Sequence, residues 1–299
     1  MTRVVILCAA LLGLIAATPA SARCALRHFP AEGGTLAYRS CGHGPTVVIL
    51  PGGPGLNAGY MADMAKAVAA DGRRAILLEQ RGTGESRAAI GDGSRLTVAG
   101  SVADVEALRR ALGADRIAVI GHSFGGAIAQ AYAAAYPDQV ERLILLDSVG
   151  PDLHPTPAPL DGWRKRLDTK ELAAYDAARA RGDRLAAMRL KFLGSFHRRD
   201  RGIAFLKTLP DAAFHQDVAP LSDDYTRHYD IRATARPLFP VTIMAGDEDW
   251  IRGYEPALRA TYPRAVTILI PHAGHFPWAD APAATRRALH NALARGPRS

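Results

Sequence analysis

The sequence predicts an α/β fold built on a mostly parallel, doubly wound sheet, with an antiparallel hairpin at its N-terminal edge and an inserted helical segment. Short β-branched and apolar runs alternate with longer helical segments from residue 46 to residue 146. This alternation is typical of parallel strands joined by helices. A proline-rich stretch begins at Pro151, and the strand pattern returns at Pro240. We therefore expect one sheet, interrupted by an insertion, with ligands bound at the carboxyl ends of its strands.

The first 22 residues have the pattern of a secretory signal peptide. A short basic start that includes Arg3 precedes the apolar run 4–17, and Ala20-Ser21-Ala22 supplies the small residues of a cleavage site. The apolar run is short for a membrane-spanning helix, which argues against a retained anchor. We expect cleavage after Ala22, export to the periplasm or the medium, and no stable membrane insertion of the mature chain.

Cys24 and Cys41 remain after that cleavage, and they flank a predicted hairpin. The segment 24–41 contains two strand-like runs around Glu32-Gly33. With these two residues as the turn, Cys24 lies opposite Cys41 at a non-hydrogen-bonded position, where the Cα atoms of antiparallel strands come closest. We predict a structural disulfide, worth about 3 kcal/mol by loop entropy, in an oxidising compartment. The alternative is a pair of free thiols.

The net charge is +8, and the arginines that carry it are scattered along the chain rather than gathered in one run. No recognised nucleic-acid-binding motif accompanies them, so we expect no nucleic-acid partner. A solvated basic surface is the ordinary explanation. The sequence shows no metal-ligand spacing, and we predict neither a metal nor a cofactor.

The elements of the predicted core follow from apolar runs and helical periodicity. Strands are predicted at 46–50, 74–78, 117–120, 143–146, 240–245 and 266–270, and helices at 60–70, 97–112 and 281–293. Residues 23–150 and 237–299 then form the core. Residues 151–236 are predicted to be a helical cap, since its proline-rich linker cannot continue a sheet. Amphipathic helices are predicted within the cap at 163–181, 184–193 and 202–208.

The segment Gly121-His122-Ser123-Phe124-Gly125-Gly126 follows a buried strand directly and opens an alanine-rich helix. A serine between glycines on such a strand-to-helix turn resembles the nucleophile elbow of the α/β-hydrolases. Glycines leave room for the neighbouring backbone, and the helix N-terminus directs free N–H groups and a positive dipole end at bound substrate. The resemblance implies an α/β-hydrolase fold with Ser123 as nucleophile. The alternative is a glycine-rich turn with an incidental serine.

A serine nucleophile needs a base, and the base needs an orienting acid. In α/β-hydrolases these follow in the order serine, acid, histidine, on loops after later strands. The loop after residue 245 reads Gly246-Asp247-Glu248-Asp249, and the loop after residue 270 reads Pro271-His272-Ala273-Gly274-His275. The resemblance implies His275 as the base and Asp249, third after the glycine, as the acid. Asp247 is the next candidate for the acid.

Two further histidines lie close to these motifs. We expect His272 to be a structural or loop histidine, and His122 to pack or hydrogen-bond locally. An oxyanion hole needs two backbone N–H groups aimed at the developing negative charge. Phe124, directly after the nucleophile, is expected to supply one of them. Gly53 is expected to supply the other, because the prolines of the loop 51–55 have no N–H to offer.

Two segments resemble motifs of the proline iminopeptidase family of serine peptidases. Residues 51–55 (PGGPG) are similar to that family's His-Gly-Gly-Pro-Gly, and residues 79–86 (EQRGTGES) to its Asp-Gln-Arg-Gly-x-Gly-x-Ser. The resemblance covers about 40–150 and 238–280, and it does not extend to the cap. Pro51 replaces the family's histidine and Glu79 its aspartate. The elbow has the form of general hydrolases rather than the family's Gly-Gly-Ser-Trp-Gly.

The family's aminopeptidases bind the α-ammonium of their substrates through cap glutamates. Between Pro151 and Pro240 the single glutamate is Glu171. Six aspartates could replace the missing glutamates, or could belong to solvated loops: Asp200, Asp211, Asp217, Asp223, Asp224 and Asp230.

The sequence therefore predicts an exported serine hydrolase that forms an acyl-enzyme on a small-molecule or short-peptide substrate. The resemblance favours an aminopeptidase-like enzyme of the proline iminopeptidase type. A carboxylesterase, acting on small esters or lactones, is the alternative. A non-catalytic binding module on the same fold is a remote alternative, because both Ser123 and His275 are present.

Overall fold

The computed structural model describes residues 24–152 and 161–294. The predicted signal peptide, its cleavage point after Ala22 and most of the proline-rich linker lie outside these residues. Within them, no helix is long and apolar enough to cross a membrane.

The strands are, in chain order, β1 (Ala25–Ala31), β2 (Gly34–Cys41), β3 (Thr46–Leu50), β4 (Arg74–Leu78), β5 (Ile117–His122), β6 (Val140–Leu146), β7 (Val241–Gly246) and β8 (Val266–Ile270). They form one eight-stranded sheet in the order β1-β2-β4-β3-β5-β6-β7-β8. The pairs from β4 to β8 are parallel, whereas β1 pairs with β2, and β2 with β4, antiparallel. The predicted fold class, a mostly parallel sheet with an antiparallel hairpin at one edge, is confirmed.

The helices are α1 (Ala62–Ala70), α2 (Val98–Ala111), α3 (Phe124–Ala135), α4 (Thr169–Ala180), α5 (Arg184–Gly194), α6 (Arg199–Lys207), α7 (Ala219–His228), α8 (Glu255–Thr261), α9 (Pro277–Asp280) and α10 (Pro282–Ala294). The inner strands are apolar on both faces because helices cover both. Ile49 of β3 packs in one core with Met64 of α1 and Leu289 of α10. Its neighbour Val48 belongs to the opposite core, with Ile128 of α3.

The N-terminal hairpin has the register that the sequence predicts. Ala25 pairs with Ser40 and Ala31 with Gly34, so Glu32 and Gly33 form the turn. One position beyond the first pair, Cys24 and Cys41 are joined by a disulfide with their Cα atoms 4.3 Å apart. The crosslink therefore fastens the outermost strand of the sheet to its neighbour.

The insertion between β6 and β7 contains α4 to α7, and its helix boundaries differ from the prediction. The prediction of a single helix at 163–181 was wrong, because a 3-10 turn at Gly162–Arg166 precedes α4. Asp168 accepts a hydrogen bond from Glu171 N and donates its own N–H to the Glu171 carboxylate, each at 2.9 Å. This reciprocal capping box starts α4 after Asp168. The polar helix α7 was not predicted at all.

The disulfide gives a prediction that is independent of activity. A chain that begins at residue 23 is expected to titrate no thiols when it is denatured without reductant, and two after reduction. Reduction should lower the free energy of unfolding by about 3 kcal/mol, since it releases the closed loop in the unfolded chain. Thiol titration and chemical denaturation, with and without reductant, measure both. Two thiols in the unreduced protein would contradict the crosslink.

Candidate active site

Loops after three parallel strands meet at one edge of the sheet. Ser123 follows β5, Asp249 lies in the loop after β7, and His275 lies in the loop after β8. Ser123 Oγ is 3.0 Å from His275 Nε2. His275 Nδ1 is 3.1 Å from both carboxylate oxygens of Asp249. The three predicted side chains therefore form one hydrogen-bonded chain, in which Asp249 fixes the tautomer that leaves Nε2 free to accept from Ser123.

The turn at Ser123 is tight enough to require glycines around it. Ser123 has φ 54° and ψ −122°, a left-handed conformation that side chains rarely adopt. A Cβ added to Gly121 would come within 2.7 Å of Gly126 Cα and of Ala129 Cβ. The strand can therefore turn directly into α3 because no side chain stands at residue 121. The serine projects from this turn as the N-cap of the helix.

The three consecutive acids of the loop after β7 have different partners in the structure. Asp249 is buried and contacts His275. The Asp247 carboxylate instead accepts a hydrogen bond from Ala273 N at 3.3 Å. Glu248 turns to the outside, where it forms ion pairs with Arg166 and His197. Of the three, only Asp249 is in position to orient the imidazole.

The backbone of His275 is held from two sides. Its N–H donates to the carbonyl of Ser195, which belongs to the insertion, at 2.8 Å. Its carbonyl oxygen is 2.9 Å from His122 Nε2. The preceding N–H, of Gly274, donates to the buried Asp280 carboxylate at 2.9 Å. These bonds fix the position of the imidazole through the main chain that carries it.

His122 and Tyr60 form a buried relay between two loops of the site. Burial lowers the pKa of His122 well below its ordinary value, with a smaller contribution from His275, so the ring is neutral. Burial also raises the pKa of Tyr60. Gly52 N donates to the Tyr60 hydroxyl at 2.5 Å, which frees that hydroxyl to donate to His122 Nδ1 at 2.7 Å. His122 Nε2 then carries the proton that the His275 carbonyl accepts.

Asp147, at the end of β6, is a buried acid that the sequence analysis did not single out. Its Oδ1 accepts the N–H of Gly246 at 2.8 Å, which ties the end of β6 to the end of β7. Burial, and then the charge of the neighbouring Asp249, raises the pKa of the Asp147 carboxyl well above its ordinary value. The protonated form adds no second negative charge beside Asp249. The sequence does carry a signal for this residue, since Asp147 is an acid that directly follows the apolar strand β6.

Gly53 and Phe124, the two residues predicted to form the oxyanion hole, line one cavity with Ser123. Phe124 is the first residue of α3, and Gly53 follows Gly52, whose added Cβ would lie 2.9 Å from Ser123 Cβ. In the part of the chain that the structure describes, neither N–H donates to another group. Gln80 of the predicted 79–86 motif supports this loop by donating to the carbonyl of Pro51 at 2.7 Å.

The rest of the 79–86 motif is structural. Glu79 is buried and accepts the N–H of Ala58 at 3.0 Å. Burial raises the pKa of its carboxyl, against the lowering effects of the Ala58 N–H and the Arg39 charge. Arg81 forms a buried two-pronged ion pair with Asp104 of α2. The motif therefore fixes the loops after β3 and β4 rather than reaching the cavity.

A cavity of about 530 Å³ is lined by Ser123 and His275. Its other walls come from the loop 52–56, from α5 and α7 of the insertion, and from Trp250 and Phe276. The Trp250 ring lies 5.3 Å from the His275 ring. The walls are largely apolar, which suits the acyl or hydrocarbon part of a substrate.

The acids that the sequence offered as an ammonium-binding site are each paired with a basic side chain. The pairs are Glu171 with Arg199, Asp200 with Arg198, Asp211 with Arg189, Asp217 with Arg87, Asp223 with Arg227, Asp224 with His228 and Asp230 with Arg232. Only Asp223 among them lines the cavity. Two basic residues of α5, Arg184 and Lys191, line it as well.

His197, Glu248 and His272 come together near the outer side of the loop after β7. One ligand atom from each lies within 4.8 Å of the others. The sequence analysis did not group them, because His197 comes from the insertion. Glu248 already forms ion pairs with Arg166 and His197. This group could hold a metal ion, but it does not face Ser123.

If the relay through Tyr60 stabilises the site, removal of the Tyr60 hydroxyl should cost more unfolding free energy than removal of another buried tyrosine hydroxyl. Tyr60→Phe leaves Gly52 N–H and His122 Nδ1 without partners, so it should lower the free energy of unfolding by about 1–3 kcal/mol. Tyr132→Phe is the matched control, since its partner Glu106 keeps Arg109 and Arg110. Chemical denaturation measures both. An equal or smaller loss for Tyr60→Phe would contradict the relay.

Comparison with known proteins gives one family and several distant relatives. The chain is 42% identical over 112 residues to the proline iminopeptidase of Xylella fastidiosa, which is 37% of this chain and 35% of that protein. It is 32% identical over 139 residues to cis-3-alkyl-4-alkyloxetan-2-one decarboxylase of Shewanella oneidensis, which is 45% of this chain and 43% of that protein. The chain thus spans less than half the length of either curated relative.

The wider likeness concerns the fold. The bromoperoxidase structure from Bacillus anthracis superposes with a TM-score of 0.72 at 22% identity, covering 91% of this chain and all of that one. The alpha/beta hydrolase fold family matches residues 45–282, which is most of the chain and includes every element that carries the site. The chain belongs to the α/β-hydrolase family and resembles its proline iminopeptidases.

Proposed function

We propose that this protein is a serine hydrolase that works through an acyl-enzyme. The observation that carries the proposal is the hydrogen-bonded chain from Ser123 through His275 to Asp249, placed at the wall of a cavity. His275 Nε2 takes the Ser123 proton as Oγ attacks the substrate carbonyl, and Asp249 stabilises the imidazolium that forms. His275 then protonates the leaving group, and water releases the acyl group by the reverse sequence.

The negative charge of the tetrahedral intermediate is accepted by the N–H groups of Gly53 and Phe124. Both are unused by other groups among the described residues, and both lie on backbone fixed by neighbouring contacts. Donors held in place before the reaction stabilise the transition state without reorganisation. The N-terminus of α3 adds its dipole to this site.

Residues 151–236 serve as a cap that determines what enters the cavity. Helices α5 and α7 supply much of the cavity lining, and the Ser195 carbonyl holds the His275 backbone.

The mature protein is exported. The N-terminal pattern of residues 1–22 and the Cys24–Cys41 disulfide support this proposal.

The substrate is a small carboxylic ester. The cavity has an apolar wall, two basic residues and one acid, Asp223, which is 3.5 Å from the Arg227 guanidinium. A free α-ammonium would thus meet more positive than negative charge there. Aminopeptidase action on an N-terminal proline is the second candidate. The resemblance to proline iminopeptidases and the Xylella fastidiosa relative of that name support it.

Substitution of Asp249 or Asp247 by asparagine tests which of the two orients His275. Asp249→Asn is expected to lower kcat for a 4-nitrophenyl ester by about 10³–10⁴-fold, because the amide no longer fixes the productive tautomer of His275. Asp247→Asn, the matched control, should keep most of the activity, since its carboxylate accepts only a backbone N–H. Steady-state kinetics on folded variants decide. A larger loss in Asp247→Asn would reverse the assignment.

A pair of substrates separates the two candidate functions. We expect hydrolysis of 4-nitrophenyl butyrate and little turnover of proline 4-nitroanilide, because the cavity offers an ammonium group no unpaired acid. Both rates are measured in the wild-type protein and in Ser123→Ala, which should lose them. Preference for the proline amide, abolished by acetylation of its amine, would establish the aminopeptidase instead.

A further inference from the structure

One face of α5 presents its side chains to the cavity. Arg184, Met188, Lys191 and Phe192 recur at the spacing of a helix face, and all line the cavity with Ser123. The apolar members continue the hydrocarbon wall. The two cations, Arg184 and Lys191, interrupt this wall.

The Trp250 ring lies between the Lys191 ammonium group and the His275 ring. Lys191 Nζ is 4.5 Å from the centroid of the Trp250 ring, a cation–π contact. The Trp250 ring in turn is 5.3 Å from the His275 ring. Trp250 Nε1 donates to Ser195 Oγ at 3.1 Å, and that hydroxyl donates to the Lys191 carbonyl. The ring is therefore held in a fixed position between the ammonium group and the base.

The Lys191 ammonium has no carboxylate partner among the residues that the structure describes. No ion pair or hydrogen bond involves its Nζ in residues 24–152 and 161–294. Burial lowers the pKa of Lys191, and the positive charge of Arg179 lowers it further. Other basic side chains of the insertion, such as Arg189 and Arg199, are paired with carboxylates. A partly desolvated cation without an anion is costly unless a ligand supplies one.

We propose that Lys191 binds a carboxylate of the substrate, so that the enzyme prefers esters whose acyl part ends in a negative charge. The inference rests on the proposed ester hydrolysis at Ser123. The carboxylate takes the place of the missing counter-ion beside Trp250. The alkyl chain between the two carbonyl groups lies along Met188 and Phe192, and the scissile carbonyl reaches Ser123. Arg184, exposed at the same face, adds positive potential to the approach.

The test compares two substrates that differ in one charge. Mono-4-nitrophenyl adipate carries a free carboxylate, and its methyl ester does not; both release nitrophenol. The wild-type protein is expected to hydrolyse the acid with a kcat/KM at least tenfold above that of the methyl ester. Lys191→Met should lower kcat/KM for the acid by about 10- to 100-fold, the range for a lost hydrogen bond to a charged group. Its kcat/KM for the methyl ester, which offers Lys191 no charge to bind, should fall much less than that for the acid.

Lys207→Met, an exposed lysine of α6 outside the cavity, is the matched control and should behave as wild type. The circular dichroism spectrum and the unfolding midpoint of Lys191→Met, compared with wild type, report whether the variant is folded. Equal loss on both substrates, or a wild-type preference for the methyl ester, would overturn the proposal.

A binding measurement separates this inference from the proposed chemistry. Calorimetry on Ser123→Ala should give tighter binding of monomethyl adipate than of dimethyl adipate. Adding Lys191→Met should weaken binding of the anion by about 10- to 100-fold. If the anion binds in this way but the wild-type protein hydrolyses neither ester, the proposed function fails and the carboxylate site stands. If both esters are hydrolysed alike and the anion binds no better, the carboxylate site fails alone.

Discussion

The hydrogen bond between Ser123 Oγ and His275 Nε2 joins side chains that are 152 residues apart in the sequence. It depends on β5 and β8 ending at the same edge, with β6 and β7 between them in register. It depends also on the insertion, because the Ser195 carbonyl holds the backbone N–H of His275. A change in the packing of the insertion would therefore move the backbone of His275 even when no substrate is bound.

The site gathers several buried titratable groups without accumulating charge. Burial favours the neutral ring of His122 and the protonated carboxyl of Asp147, so neither adds a charge next to His275 and Asp249. In a medium of low dielectric constant, an additional charge on His122 or Asp147 would change the energy of the His275–Asp249 pair by several kcal/mol. The proposed reaction then develops its positive charge on His275 opposite a single carboxylate. In the cavity, Lys191 is the exception, since no carboxylate of the described part of the chain pairs with its ammonium group.

Much of the fold could be predicted from local pattern, because apolar runs mark the strands and parallel strands bring their carboxyl ends together. The choice of Ser123, Asp249 and His275 within the loops at that edge came from the resemblance to α/β-hydrolases. The relay through Tyr60 could not be predicted, since it depends on contacts between residues remote in sequence. Nor was α7 predicted, because its sequence is mostly polar and has a proline in its first turn, and only its packing shows that Leu221 and Tyr225 are buried. Lys191 is one of many scattered cations, and only the packing of α5 distinguishes it.

Fluorophosphonate labelling followed by peptide mapping tests whether Ser123 is an activated nucleophile. The reagent forms a covalent adduct only with a serine that is activated by a base and faces an oxyanion site. We predict a single adduct, on Ser123, with labelling lost in Ser123→Ala and strongly slowed in Asp249→Asn. Folded protein that remains unlabelled, or an adduct on another serine, would contradict the account.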